Sequence, residues 1–442
     1  MRRFALPLLL AAVVAAPAQA APPPIKNVFV IALENKNYDA TFGKDSQAPY
    51  LAKTLVAKGQ LLTKYYGIAH NSLPNYIAMV SGQGPNPQTQ ADCQFFTDFA
   101  PGNIGADGQA TGTGCVYPTA VKTVADQLTA KGLTWGGYME DMATPCEHPD
   151  LNAQDHTQSA TAESQFAARH NPFVYFHSVI DKPDCAIRNV NLSRLPAALS
   201  ANAVPNFVFI TPDLCSDGHD ATCADSKQKG GYEGINGFLQ QWVPLILKSQ
   251  AYRSGGLLIV TFDESAAGAE SCCVDDAPNT PNAGATTSGP GGGLVGAVLL
   301  SRYIKPGTTN ATPYNHYSLL RSVEDIFGLE GLGFAARSKG FGSDVYNGPT
   351  CFDTPVPAGS GRLPRGTLIQ TAATSGHILR ITMARTAQLK VTYTAPNKGR
   401  HSVKRRAKAC HVVVLRVPGG TASIKIVASR GGRNESRTLK FG

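Results

Sequence analysis

Acids and amides in this chain of 442 residues collect directly after runs of apolar, β-forming residues. Asn27 to Leu33 leads into Glu34-Asn35, Asn206 to Ile210 into Thr211-Pro212 and the acid-bearing segment Asp213 to Asp220, and Gly256 to Phe262 into Asp263-Glu264. Carboxylates and an amide carbonyl are hard oxygen donors, the ligand type that Mg²⁺, Mn²⁺ or Ca²⁺ demands. A single acid pair is ordinarily a loop cap or a solvated turn, so it is the repetition of the pattern that points to a divalent cation. A further segment, His70-Asn71-Ser72-Leu73-Pro74-Asn75-Tyr76, places a serine just ahead of a proline where the apolar helical run Ile77 to Val80 begins. Serine is a good N-cap there. The same geometry aims backbone N–H groups and the helix dipole at any phosphate held beside the hydroxyl, and a metal touching that hydroxyl supplies the lowered pKa that a serine nucleophile lacks.

Such groups need a scaffold that brings strand ends together. The three apolar runs and a fourth, Leu294 to Leu300, are continuous rather than alternating, as in strands covered on both faces. Helical patterns lie at Val121 to Lys131, Ile235 to Ser249 and Tyr317 to Phe327, so an α/β fold with a mostly parallel sheet and helices on both faces is predicted. Ligands bind beyond the carboxyl ends of such strands, where the acids lie. Asp275 to Gly293 reads as a surface loop between two core strands, and Pro355 to Pro364 as a domain boundary. Beyond it Thr367 to Gln370, His377 to Met383, Gln388 to Tyr393, His411 to Val417 and Ala422 to Ala428 alternate at hairpin spacing, predicting a small C-terminal β-sandwich.

Hydrophobic residues at 43% and charged residues at 16% exclude wholesale disorder. The net charge of +9 is confined to one region, since residues 355–442 hold 17 bases and a single acid, Glu435, and the rest is mildly acidic. Nucleic-acid binding by the whole chain is therefore not expected, and any anionic partner, cell-wall polymer or acidic lipid, should meet the tail. Arg2-Arg3, the apolar run Phe4 to Ala16 and Ala18-Gln19-Ala20 read as a secretory signal peptide, residues 1–20, too short to span a bilayer. Residues 21–354 would form the catalytic domain and 355–442 a basic β-rich domain of a secreted or envelope-associated protein. Ten cysteines suit an oxidising destination. Cys93 with Cys115 and Cys215 with Cys223 are the expected short-range pairs, and Cys410 is expected to stand alone.

Taken in order, Glu34-Asn35-Lys36-Asn37-Tyr38-Asp39, Ser72-Leu73-Pro74-Asn75-Tyr76, Thr211-Pro212-Asp213-Leu214-Cys215 with Gly218-His219-Asp220, Thr261-Phe262-Asp263-Glu264 and Tyr314-Asn315-His316-Tyr317-Ser318-Leu319-Leu320 resemble the signature of the phosphoesterase family. That family contains secreted bacterial acid phosphatases and the non-haemolytic type of phospholipase C, within the alkaline phosphatase superfamily. The resemblance spans about Ile25 to Gly333 and implies an alkaline phosphatase-like fold. It also implies Ser72 as the nucleophile of a phosphoserine intermediate, with Glu34, Asn35, Asp263 and Glu264 holding a divalent metal (Mg, Mn, Ca or Zn) together with Ser72. His219 and His316 match histidines that meet the phosphate or the leaving group, and His177, in Asn171-Pro172-Phe173-Val174-Tyr175-Phe176-His177, is a further catalytic candidate. Tyr138-Met139-Glu140-Asp141-Met142 is similar to a block at the rim of the family's pocket.

Ser265-Ala266-Ala267 follows the acid pair with no histidine before His316, so a complete second metal site is not implied. Tyr76 stands where related sulfatases carry arginine, and no cysteine has the context for formylglycine. The expected activity is hydrolysis of phosphate monoesters by a secreted, metal-dependent acid phosphatase. A phospholipase C-type diesterase is the alternative within the same chemistry, and an inactive phosphoesterase-like binding protein the alternative outside it. Short spacers between the motifs favour the phosphatase, and retention of Ser72 with four candidate ligands favours an active enzyme.

Overall fold

The computed structural model describes residues 22–226, 229–266, 291–348 and most of 368–440. The predicted signal peptide, most of the predicted 275–293 loop, the 355–364 boundary and Cys272, Cys273, Cys351 and Cys410 lie outside the described residues.

Eight strands form the central sheet: β1 Val28–Leu33, β2 Gln60–Leu62, β3 Trp135–Met139, β4 Asn189–Asn191, β5 Phe207–Thr211, β6 Leu257–Phe262, β7 Ala297–Ser301 and β8 Thr308–Asn310. Their order is β8-β2-β7-β6-β1-β5-β3-β4. β1 runs parallel to both β5 and β6, β3 joins β5 and β4 in parallel, and β8 pairs with β2 in parallel. Only β7 runs against its neighbours, β6 and β2. Every residue of β1, β5 and β6 is buried, which is why these runs are apolar throughout. The principal helices are α1 Ser72–Ser81, α2 Val124–Ala130, α3 Gly231–Lys248 and α4 His316–Phe327.

The four apolar runs read from the sequence are all strands, and the three helical patterns are all helices. β3 escaped the sequence reading because Trp135-Gly136-Gly137-Tyr138-Met139 carries two glycines. Packing demands the second of them: a Cβ on Gly137 would stand 2.9 Å from the Phe173 ring.

The C-terminal strands form separate antiparallel sheets. One is built from Ile369–Ser375, Ile378–Met383 and Val412–Arg416, the other from Gly399–Ala407, Ala387–Ala395, Ser423–Arg430 and Arg433–Lys440, in that order. Leu379, Ile381, Leu389, Val391, Ile424 and Ile426 lie in a core of their own. Gly399–Ala407 and Arg433–Lys440 were not expected as strands, because their outward positions are basic or polar and the alternation is nearly lost.

Disulfides join Cys93 to Cys115, Cys146 to Cys185 and Cys215 to Cys223. The first and third are the expected pairs, and the second had no local sequence signal. Among the described residues no helix is long and apolar enough to cross a membrane.

Candidate active and metal site

Because β6, β1 and β5 are adjacent and parallel, their carboxyl ends deliver side chains to one place. Two main-chain bonds stitch those ends together: Asp263 N donates to Leu33 O at 2.8 Å and Glu34 N to Asp217 O at 3.0 Å. Asn35 follows with φ 53°, a left-handed conformation that asparagine tolerates better than most residues. Its backbone N–H donates to Asp263 Oδ1 at 3.1 Å, and its amide to Glu34 Oε2 at 3.2 Å. Ser72, in the first turn of α1, donates its hydroxyl to the same Glu34 Oε2 at 2.9 Å, and Tyr76, one turn on, donates to Oε1 at 2.7 Å. Glu34 is thus the hub, wholly buried and bonded by the side chains of Asn35, Ser72 and Tyr76.

A histidine and an acid not singled out in the sequence complete the cluster. His170 places Nε2 at 3.3 Å from Glu34 Oε1 and Nδ1 at 3.2 Å from Asp217 Oδ2, and its ring stacks on Tyr76 with 5.2 Å between centroids. These contacts are close but not aligned as hydrogen bonds, and Asp263 Oδ2 is likewise buried without a hydrogen bond. Buried polar atoms are normally satisfied. Glu34, His170 and Asp217 also bring one ligand atom each within 4.8 Å of one another, so the residues fit a divalent cation.

The electrostatics agree. Burial, then Asp263 and Asp217, hold the Glu34 carboxyl well above its ordinary range. Asp217 is raised chiefly by burial, and Asp263 is pushed up to about 6 for the same reason. Burial and the Arg169 charge press His170 well below the usual imidazole value. Acids this crowded cannot all ionise without a compensating cation.

The remaining candidates fall into distinct positions. Glu264 turns to His70, whose Nδ1 contacts its Oε2. His219 receives a hydrogen bond on Nε2 from Arg169 Nη2 at 3.2 Å, and its Nδ1 lies 2.7 Å from Asp220 Oδ1. His316 sets Nε2 against the Asp263 carbonyl at 2.5 Å and Nδ1 against the Tyr65 hydroxyl at 3.1 Å. His177 is not brought to the cluster: it pairs with Asp98 at 2.7 Å and Asp181 at 3.0 Å, both half-exposed carboxylates elsewhere in the fold. The amide of Leu73, expected to face phosphate, donates instead to Asp92 Oδ1 at 2.9 Å. In the rim block, Glu140 accepts from the Asp213 N–H at 3.1 Å, and burial, then Asp213, pushes its carboxyl up to about 8.

Arg169 is the other residue the sequence did not disclose. It is buried, donates to Gln158 O at 2.9 Å and lies 4.0 Å from Asp92, so a fixed cation stands beside His219.

Residues 44–330 match the Phosphoesterase family, and the chain belongs to it. Among its relatives is the phosphate-repressible acid phosphatase of Penicillium chrysogenum, 28% identical over 301 residues covering 68% of this chain and 58% of that protein. An acid phosphatase of Aspergillus fumigatus is 26% identical over 309 residues, 69% of this chain and 55% of the relative. The phosphatidylinositol-3-phosphatase of Mycobacterium tuberculosis is 24% identical over 321 residues, 73% of this chain and 83% of the relative. The chain thus spans less than two thirds of the length of these fungal relatives. A protein in the alkaline phosphatase superfamily from Vibrio parahaemolyticus is similar in structure at 10% identity, covering 97% of this chain and 88% of that one, with a TM-score of 0.45.

Proposed function

We propose that this chain is a metal-dependent acid phosphatase that hydrolyses phosphate monoesters through a phosphoserine intermediate on Ser72. The observation that carries the reading is the Ser72 hydroxyl donating to Glu34 at 2.9 Å inside a buried cluster of carboxylates and histidine. Glu34 orients the Ser72 oxygen, and Tyr76 and Asn35 hold Glu34 in turn. Glu34, Asn35 and Asp263 with Ser72, together with His170 and Asp217, would hold a divalent ion (Mg, Mn, Ca or Zn), while Glu264 supports the site through His70. When bound, the ion supplies positive charge that favours the serine alkoxide and offsets the phosphate charge. Ser72 Oγ attacks phosphorus, the ester P–O bond breaks, and His219 would protonate the departing alkoxide once Arg169 engages the phosphate and leaves its Nε2 free to carry a proton. Water then hydrolyses the phosphoserine, regenerating Ser72 and releasing inorganic phosphate. Arg169 offers a fixed cation to the phosphate oxygens.

The test is a chromogenic phosphomonoester and a phosphodiester assayed in parallel at mildly acidic pH, after chelation and after return of each candidate ion. Metal-restored monoester hydrolysis is expected. Faster diester hydrolysis would assign a phospholipase C-type activity instead, and turnover of neither would leave an inactive scaffold.

Three disulfides fit maturation in an oxidising, extracytoplasmic compartment, in keeping with a secreted or envelope-associated enzyme. We further propose that the C-terminal strands form a basic domain that meets an anionic cell-wall or lipid surface. Their register supports this. Exposed Lys390, Arg400, Lys404, Arg406 and Lys425 occupy one face of the four-stranded sheet, with Lys390 directly opposite Lys404. Glu435 lies on the other face, bonded to Arg437 and to the Leu368 N–H. Like charges directly opposed across a sheet are destabilising unless an anion answers them.

A further inference from the structure

Beside the cluster lies a cleft of about 490 Å³, large enough for a ring-sized organic group. Its inner wall is made by the chain neighbours of cluster residues: Lys36 follows Asn35, and Gly218-His219 follow Asp217. A phosphate held by the cluster with His219 beside it would send the rest of its ester into this space. The cleft therefore serves the alcohol half of the substrate, and its lining states what that half should carry.

The lining is cationic. Lys229 and Glu233 pair at 2.9 Å near the mouth, which leaves Lys36 as the lining cation with no carboxylate in direct contact; Asp217, Glu34 and Asp263 act on its charge from the cluster behind it. Lys36 is pinned: Nζ donates to the carbonyl of Gly218 at 2.6 Å and to that of Asn35 at 3.3 Å, and lies 5.5 Å from the centre of the Tyr232 ring. Those two carbonyls use two of the three N–H donors of an ammonium, and both are neutral. Neither bond is to a carboxylate, so one N–H donor of this cleft-lining ammonium is left for a ligand. A flexible lysine held by two backbone carbonyls has already surrendered the freedom that binding an anion would otherwise cost.

We propose that Lys36 makes this cleft a subsite for leaving groups bearing a second anionic group, so that the preferred substrates are monoesters of carboxylated or further phosphorylated alcohols. The assignment rests on the phosphatase reading above and adds to it a class of substrate.

The experiment compares phenyl phosphate with 4-carboxyphenyl phosphate, two aryl monoesters that differ in one negative charge on the leaving group. The ratio of their kcat/KM values is measured for the wild type, Lys36→Met and Lys36→Arg. The wild type should favour the carboxylated ester, Lys36→Met should lower the ratio about tenfold, mainly through KM, and Lys36→Arg should keep most of it; the scale is that of one charge-assisted hydrogen bond. A ratio unchanged by Lys36→Met, or one that falls equally in Lys36→Arg, overturns the inference while leaving phosphatase activity in place. A wild-type enzyme that turns over neither ester overturns the phosphatase reading and this inference with it.

Discussion

The imidazole of His316 holds Asp263 by its main chain, not by its carboxylate. A carbonyl oxygen only accepts, so Nε2 carries the proton donated to Asp263 O at 2.5 Å, and Nδ1 accepts from the Tyr65 hydroxyl at 3.1 Å. Burial pushes this histidine down to about 4, so it stays neutral from mildly acidic to alkaline pH. His316 therefore braces the turn that carries Asp263, the arrangement expected of a positioning residue. His316→Ala should raise the divalent-ion concentration for half-maximal activity by about ten- to a hundredfold, the scale of lost supporting contacts at metal sites. The alkaline limb of the pH–rate profile should remain. Its disappearance would return His316 to the role of proton donor.

Ser72→Ala should lower monoester turnover by at least about a thousandfold. The fold should survive, because the Leu73 N–H at the helix start is satisfied by Asp92 and not by Ser72. One hydrogen bond to Glu34 is lost, worth about 1 kcal/mol. Thermal melting and trapping of labelled phosphate on the wild-type serine check both halves. Activity within about tenfold of wild type would remove Ser72 from the nucleophilic role.

Only part of this site could be read in advance. Glu34, Asn35 and Asp263 follow strands whose burial on both faces forces uninterrupted apolar runs, and Ser72 opens a helix with proline two residues on; each leaves a local mark. His170 and Asp217 leave none. They meet only because the loop after β5 folds back over a short 3₁₀ turn, Ala168–His170, and nothing in Arg169-His170-Asn171-Pro172 tells that histidine from His177. Both flank the same apolar stretch, and only tertiary packing sends one to Glu34 and the other to Asp98 and Asp181. The basic strand Gly399–Ala407 was missed for a related reason: its exposed face is charged and its edge position leaves little to bury.

Glu324 in α4 gives a stability prediction independent of catalysis. Its Oε1 accepts from the Leu332 N–H at 2.8 Å, Oε2 is buried without a hydrogen bond, and burial pushes the carboxyl up to about 8. The folded state thus prefers the protonated acid. Its contribution is fully present below the ordinary carboxylate value and is lost as pH rises through about 8. Glu324→Gln keeps the acceptor for Leu332 and cannot ionise, so its melting temperature relative to wild type should climb between pH 5 and pH 9. Parallel melting curves for the two proteins across that range would contradict the assignment.

The basic sheet face should act through charge alone. Sedimentation with vesicles containing acidic lipid should be strong at low salt and fall steeply by about 0.5 M, where screening shortens to a few ångströms. Replacing Lys390, Lys404 and Arg406 by glutamine should abolish it. If the triple variant sediments like wild type, the face is merely solvated.

The Cys215–Cys223 bridge closes the short loop that carries Asp217 and His219. The sheet has no need of that bond, since its strands are held by their own ladders, whereas two groups of the candidate site depend on the loop it ties. Reducing the bond should therefore loosen the placement of Asp217 and His219 while the sheet keeps its pairing.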